Sequence, residues 1–171
     1  MTTISYHLLN LTKNLIFSLL LTSQIVLGKE LIKMKNPSGI EIELELALTQ
    51  KQHTQGLSGL KSNEFKKSKG MLFVNPSMGP RRFWMPNTYF NLDIIFLDQD
   101  LKIVAIEKNI PAHPGLTGPP AIYKTDTYLA QFVLETRADA DFGKNLKKND
   151  SLKLIGPTSL SEIVSKTHLL Q

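Results

Sequence analysis

Beyond residue 30, short apolar runs alternate with turns rich in Pro, Gly and Asn, a pattern typical of β-strands joined by tight connections. Residues 40–46 alternate strictly between apolar and acidic side chains, and residues 31–34 form another largely apolar run. The motif Asn36-Pro37-Ser38-Gly39 separates the two runs and favours a turn. The pattern therefore predicts a β-hairpin with one solvated face.

Further strands are predicted along the rest of the chain, separated by loops at residues 76–80 and between Pro111 and Pro120. The run at 92–97 is apolar on both faces apart from Asp93, which is typical of a central strand. The predicted strands are residues 71–74, 81–85, 92–97, 103–106, 128–135 and 151–155.

Two capping-box patterns predict short helices. Thr49 with Gln52 begins one that ends before Gly56, and Ser159 with Glu162 begins another within a C-terminal tail, residues 157–171. Residues 139–145 favour a single helical turn. The predicted fold is mainly β, a compact antiparallel jelly-roll-like sandwich or barrel with one or two short helices, formed by a single domain at residues 29–156.

The N-terminal segment has the composition of a secretory signal peptide. Residues 1–28 contain no acidic residue, Lys13 is their only Lys or Arg, and the apolar run beginning at Leu15 ends near Gly28. This run is shorter than the roughly 20 residues of a membrane-spanning helix. We expect cleavage after Gly28 and export to the periplasm or the medium, without a stable membrane anchor. An uncleaved anchor and a buried N-terminal helix are the alternatives.

Composition narrows the classes of chemistry. The 171-residue chain has no Cys, which excludes disulfides, thiolate metal sites and Cys nucleophiles. The net charge of +5 is spread along the chain, which does not favour a nucleic-acid partner. No His pair has metal-ligand spacing, and no phosphate-binding or dinucleotide-binding loop occurs, so we expect no metal or cofactor. We predict a monomer.

Several motifs occur in the order seen in the family known as domain of unknown function 192, which the chain resembles from about Ile40 to Leu154. This resemblance implies a small β-rich, jelly-roll-like fold, often exported, with no established activity. The chain departs from the family pattern at Pro86, at Asn149 and in the absence of an Arg shortly after Gly56. The matching motifs are Gly56-Leu57, Gly70-Met71-Leu72-Phe73, Phe83-Trp84-Met85-Pro86-Asn87-Thr88, Asn91-Leu92-Asp93 and Gln131-Phe132-Val133-Leu134-Glu135.

Asp93 is the polar residue with the clearest physical requirement. A carboxylate inside an apolar strand needs hydrogen-bond donors or a shifted pKa. We expect it to pin the loop at residues 87–91 to the sheet. The alternative interpretation makes Asp93 a general base paired with Glu135.

The leading functional hypothesis is an exported, non-catalytic domain that binds an unknown small molecule or an extended envelope component. The predicted cleft lies between residues 83–93 and the loop at 111–120. The alternatives are an envelope or surface hydrolase that uses Asp93 and Glu135 as an acid/base pair, and a structural protein-docking module. The candidate ligand-binding residues are Arg82, Trp84, Asn87, Thr88, Asp93, His113 and Glu135; no catalytic residue or metal ligand is assigned.

Overall fold

A computed structural model describes residues 32–170 of the chain. The predicted signal peptide, residues 1–28, lies outside this range. The strands are β1 (Lys33–Lys35), β2 (Glu41–Ala47), β3 (Lys69–Arg81), β4 (Leu92–Leu97), β5 (Ile103–Ile110), β6 (Tyr128–Arg137) and β7 (Lys153–Ile155). Helix α1 (Gln50–Gln55) follows β2, a 3-10 turn (Asp141–Gly143) follows β6, and helix α2 (Leu160–Leu169) follows β7.

The strands form one curled sheet in the order β5-β4-β6-β3-β2-β1-β7. The β2–β3 pair is parallel and the other pairs are antiparallel. The two edges of the sheet approach each other, since the Leu152 N–H donates to the Leu101 carbonyl at 3.0 Å and the Ile103 N–H donates to the Asp150 carbonyl at 2.8 Å. The result is a half-barrel with two short helices, which confirms the predicted mainly β fold class.

Both faces of the sheet are covered, so consecutive residues of a central strand enter different hydrophobic cores. On β6, Phe132 and Leu134 belong to what we call the first core, whereas Val133 belongs to the second core. Strand β4 is buried along its whole length and lies between β5 and β6, as its apolar pattern predicted. The position of a polar residue along a central strand therefore determines which face of the sheet its side chain lies on.

Strand β3 differs from the prediction. Residues 76–80 were expected to be a loop, but β3 continues through them to Arg81, and its register with β6 shifts between Val74 and Gly79. Such an irregularity accommodates Pro within a strand, because local pairing is interrupted there. The predicted strand at 81–85 is wrong, since beyond Arg81 only Trp84 forms an isolated bridge, with Lys124.

Both capping boxes are present. Thr49 caps α1 and Ser159 caps α2, each reciprocated by the side chain three residues later. Ile163 of α2 is completely buried in the first core, and Leu160 and Val164 pack against it. The C-terminal helix therefore contributes to the hydrophobic core.

Candidate functional site

An open cleft of about 450 Å³ lies over the second-core face of the sheet. Helix α1 and residues 56–58 line one side of the cleft, and residues 80–86 line the other. Its base includes Phe73 of β3 and Glu135 of β6, both buried. Of the segment 83–93, predicted as one border, residues 83–86, Thr88 and Leu92 line the cleft. The loop at 111–120, predicted as the other border, does not line it, and α1 lies there instead.

Gly56 allows α1 to lie close to the base of the cleft. Its φ of +47° is in the left-handed region, where Gly is tolerated best. A Cβ at this position would lie 3.2 Å from Cζ of Phe73 and 3.9 Å from Oε2 of Glu135. The backbone at the end of α1 thus packs on the Phe73 ring, beside the carboxyl group. Gly56 belongs to a family motif, but its role as a wall of the cleft was not predicted.

Glu135 is the most unusual group of the cleft. It is 4% exposed, and none of residues 32–170 donates a hydrogen bond to its carboxyl group or pairs with it as a cation. Burial raises the pKa of Glu135 to about 8. The group is therefore a neutral carboxylic acid at neutral pH, able to donate one hydrogen bond and to accept others.

The rim of the cleft combines an exposed aromatic ring with a guanidinium group. Trp84, the single Trp of the chain, is 54% exposed and is therefore not a core residue. Arg82 is exposed, and its Nε donates to the Thr125 carbonyl at 3.1 Å. The Nη groups of Arg82 have no partner within the described part of the chain. Between rim and base, Phe83 contacts Phe73 edge to face, with ring centroids 4.8 Å apart.

Asp93 lies on the opposite face of the sheet from Glu135. It pairs in register with Thr136, whereas Glu135 pairs with Ile94, and adjacent strand positions point to opposite faces. A Cβ on Gly143, which follows Phe142 of the first core, would overlap Oδ2 of Asp93. The proposed acid/base pair of Asp93 and Glu135 is therefore wrong, because the two carboxyl groups do not share a cleft.

The partner of Asp93 also differs from the prediction. Its Oδ1 accepts a hydrogen bond from the Asn109 N–H at 2.8 Å, so it fixes the end of β5 rather than the loop at 87–91. Burial raises the pKa of Asp93, while the Asn109 hydrogen bond and the nearby charge of Lys108 oppose that rise. Asp93 is thus a structural acceptor in this arrangement.

Asn87 and His113 connect loops outside the cleft. Asn87 has a φ of +53°; its N–H donates to Gly115 at 2.7 Å and its carbonyl accepts from Gly59 at 2.8 Å. His113 is buried, with Nε2 3.1 Å from the Thr117 carbonyl, and its own carbonyl accepts from the Thr88 N–H. Of the seven candidates, Arg82, Trp84, Thr88 and Glu135 line the cleft; Asn87, Asp93 and His113 do not.

Within residues 32–170, no three His, Asp or Glu side chains are grouped so that they could hold a metal ion. In the same range, no helix is long and apolar enough to cross a membrane.

Comparisons with known proteins place the chain among uncharacterised relatives. No curated protein matches it. A solved structure from Sinorhizobium meliloti 1021, provisionally assigned as a transcription regulator, is similar at 28% identity and a TM-score of 0.57 over 72% of this chain and 92% of that one. A protein of unknown function from Novosphingobium aromaticivorans DSM 12444 has the same fold, at 24% identity and a TM-score of 0.58 over 77% of this chain and 91% of that one.

The sequence-family comparison covers the domain itself. The model of the DUF192 family, described as an uncharacterized ACR, matches residues 32–154, which is more than half of the chain and contains all seven strands except the last residue of β7. The chain therefore belongs to the DUF192 family.

Proposed function

We propose that this protein is an exported, non-catalytic domain that binds a small or extended ligand in the cleft above Glu135. The observation that carries the proposal is the combination of an open cleft with a buried carboxyl group at its base that has no partner among residues 32–170. Burying a polar group without a hydrogen bond costs free energy, and a ligand that supplies the bond would recover it. Export rests on the composition of residues 1–28.

Binding is favoured over hydrolysis because the cleft offers one carboxyl group. Among the described residues that line the cleft, Glu135 is the only acidic one, and Asp93 belongs to the other face of the sheet. Two-carboxylate hydrolysis needs a second carboxyl group within about 5–10 Å across the same substrate. The described cleft does not provide this second group.

Regulation of transcription, the provisional assignment of the S. meliloti protein, is not favoured for this chain. Nucleic-acid binding needs a basic patch or stripe, and the excess of positive charge here is only +5 and is spread along the sequence. An aromatic side chain and a guanidinium group at the rim of a concave site instead fit recognition of a small ligand.

The proposal is tested by a ligand screen on the exported form of the protein. Compounds that raise the melting temperature are tested for a change in the emission of Trp84, and their affinity is then measured by calorimetry. We expect Trp84→Ala to weaken binding at least about fivefold, since an aromatic contact contributes about 1 kcal/mol. Leu116→Ala, which removes a side chain that is 69% exposed and does not line the cleft, is the matched control. Ligands that bind both variants equally would overturn the proposal.

A further inference from the structure

We propose that the ligand of this cleft is an amino carboxylate, the class that includes free amino acids and short peptides, whose ammonium group pairs with Glu135 and whose carboxylate lies at Arg82. This inference rests on the proposed function, because it names the chemical class that the same cleft would take. The observation behind it is that the base of the cleft has a carboxyl group, Glu135, whereas the rim has a guanidinium group, Arg82.

No donor among residues 32–170 is bonded to the carboxyl group at the base of the cleft. Two guanidinium groups line the cleft, yet neither bonds to Glu135. Arg81 uses Nη2 to donate to the Ser77 carbonyl at 2.8 Å and Nε to donate to the Ala130 carbonyl at 3.3 Å. Burial is the cause of the raised pKa of Glu135, and no cation among residues 32–170 forms an ion pair with it. A ligand in the cleft could therefore donate to this carboxyl group.

The apolar surroundings of the Glu135 carboxyl group favour an ammonium group over a neutral hydroxyl group. Phe73 lies beside the carboxyl group, as the positions around Gly56 show, and Phe83 contacts Phe73. Apolar surroundings strengthen the attraction between opposite charges. A hydrogen bond between an ammonium group and a carboxylate is about twice as strong as one between neutral groups. An ammonium group adds the attraction between opposite charges to the hydrogen bond, whereas a neutral hydroxyl group supplies the hydrogen bond alone.

The rim of the cleft carries positive charge. The Nη groups of Arg82 have no partner among residues 32–170, and a guanidinium fork binds carboxylates in a bidentate manner. Arg81 adds a second positive charge nearby, which would repel a polycation. A ligand that carries one charge of each sign satisfies both ends of the cleft.

The test uses linear ω-amino carboxylates from glycine to aminohexanoate, with hexylamine, hexanoate and hexanol as matched controls. Affinity is measured by calorimetry and by Trp84 emission. We expect one chain length to bind at least about tenfold more tightly than any control, which corresponds to about 1.4 kcal/mol. Glu135→Gln should reduce that affinity at least about tenfold, and Leu116→Ala should leave it unchanged. Gln has nearly the shape of the neutral carboxylic acid, and circular dichroism verifies that the variant is folded.

Proton release distinguishes an ammonium ligand from a neutral one. Binding of an ammonium group converts Glu135 from the acid to the carboxylate, so it releases a proton and affinity should rise from pH 6 towards the pKa of about 8. Calorimetry in two buffers with different ionisation enthalpies measures this release. No proton release, or binding that Glu135→Gln leaves unchanged, would overturn the inference.

Failure of this inference and failure of the proposed function give different results. Hexanol or neutral sugars could bind as tightly as the amino carboxylates, with Trp84→Ala weakening that binding. In that case the ligand class is wrong, while the cleft remains a binding site. If the amino carboxylates bind and Trp84→Ala has no effect on them, the site lies outside the cleft and both proposals are wrong. If no amino carboxylate binds at millimolar concentration, the ligand class is wrong.

Discussion

Two buried carboxyl groups on neighbouring strands differ in their surroundings. Asp93 accepts a backbone hydrogen bond and lies near the charge of Lys108, whereas Glu135 has no donor in the described chain. A buried acceptor with partners is typical of structural residues, and a buried acceptor that faces a cleft without partners is a candidate for binding. Asp93 therefore has the surroundings of a structural residue, and Glu135 is the carboxyl group on which the proposed ligand site depends.

The pH dependence of stability should report Glu135. In the unfolded chain its carboxyl group ionises near 4.5, and in the folded protein burial raises the pKa to about 8. Between these two pH values, folding is accompanied by uptake of a proton. The stabilising contribution of Glu135 to the free energy of unfolding is therefore complete below about pH 4.5 and is lost as the pH rises to about 8. We expect the free energy of unfolding to fall in this window by up to about 1.4 kcal/mol per pH unit.

Urea unfolding at several pH values measures this slope. Glu135→Gln should flatten it and stabilise the protein near pH 8, because Gln carries no charge to desolvate. Glu64→Gln, at an exposed position, is the control and should keep the slope. Equal slopes in the parent and in Glu135→Gln would contradict the assignment.

Asp93→Ala should damage the fold. The substitution leaves the Asn109 N–H without its acceptor at the end of β5, which costs about 1–3 kcal/mol. Asp93→Asn keeps an oxygen acceptor and should cost less. Equilibrium denaturation of the two variants checks the order of stabilities, and an Asp93→Ala variant as stable as the parent would show that this carboxyl group has no structural role.

At the scale of elements, local patterns predicted the hairpin, the central strand and both capped helices. These features depend on side-chain periodicity and on reciprocal bonds within one turn, which the sequence shows directly. The continuation of β3 through Pro76 and Pro80 was not predicted. The local sequence favours a turn there, but β3 pairs with β6 on both sides of this segment. The parallel β2–β3 pair was missed for the same reason, since long-range pairing determines strand direction.

The candidate site was predicted in part. Arg82, Trp84, Thr88 and Glu135 line one cleft, whereas Asp93 was assigned to it in error. A shift of one residue in register moves a side chain to the other face of a sheet. The register of β4 with β6 depends on contacts between segments some 40 residues apart in the sequence, and no local pattern contains it.

Helix α2 gives a prediction at this scale. Ile163 is completely buried in the first core, so Ile163→Ala should cost about 2–5 kcal/mol through the cavity it creates. Leu169→Ala lies in the same helix at a position that is 82% exposed, and should change stability by less than about 0.5 kcal/mol. Thermal and urea unfolding compare the two. Equal stabilities of the Ile163→Ala and Leu169→Ala variants would mean that α2 does not pack on the first core as described.

At the scale of the whole molecule, export remains a prediction from residues 1–28. Intact-mass analysis of protein from the envelope or the medium should find Lys29 at the N-terminus, because the apolar segment ends at the small-residue site before it. A mass that retains Met1 would contradict signal-peptide cleavage.

Carboxyl ¹³C NMR tests directly whether Glu135, which has no hydrogen-bond donor among residues 32–170, is a neutral carboxylic acid at the base of the cleft. Protein labelled at Glu side-chain carboxyl carbons is titrated with and without Glu135→Gln, which assigns the resonance. We expect Glu135 to titrate with a midpoint near the pKa of about 8 in the free protein. A midpoint near the ordinary value of 4.5 would show that this carboxyl group is stabilised as a carboxylate and would overturn its assignment as a neutral acid.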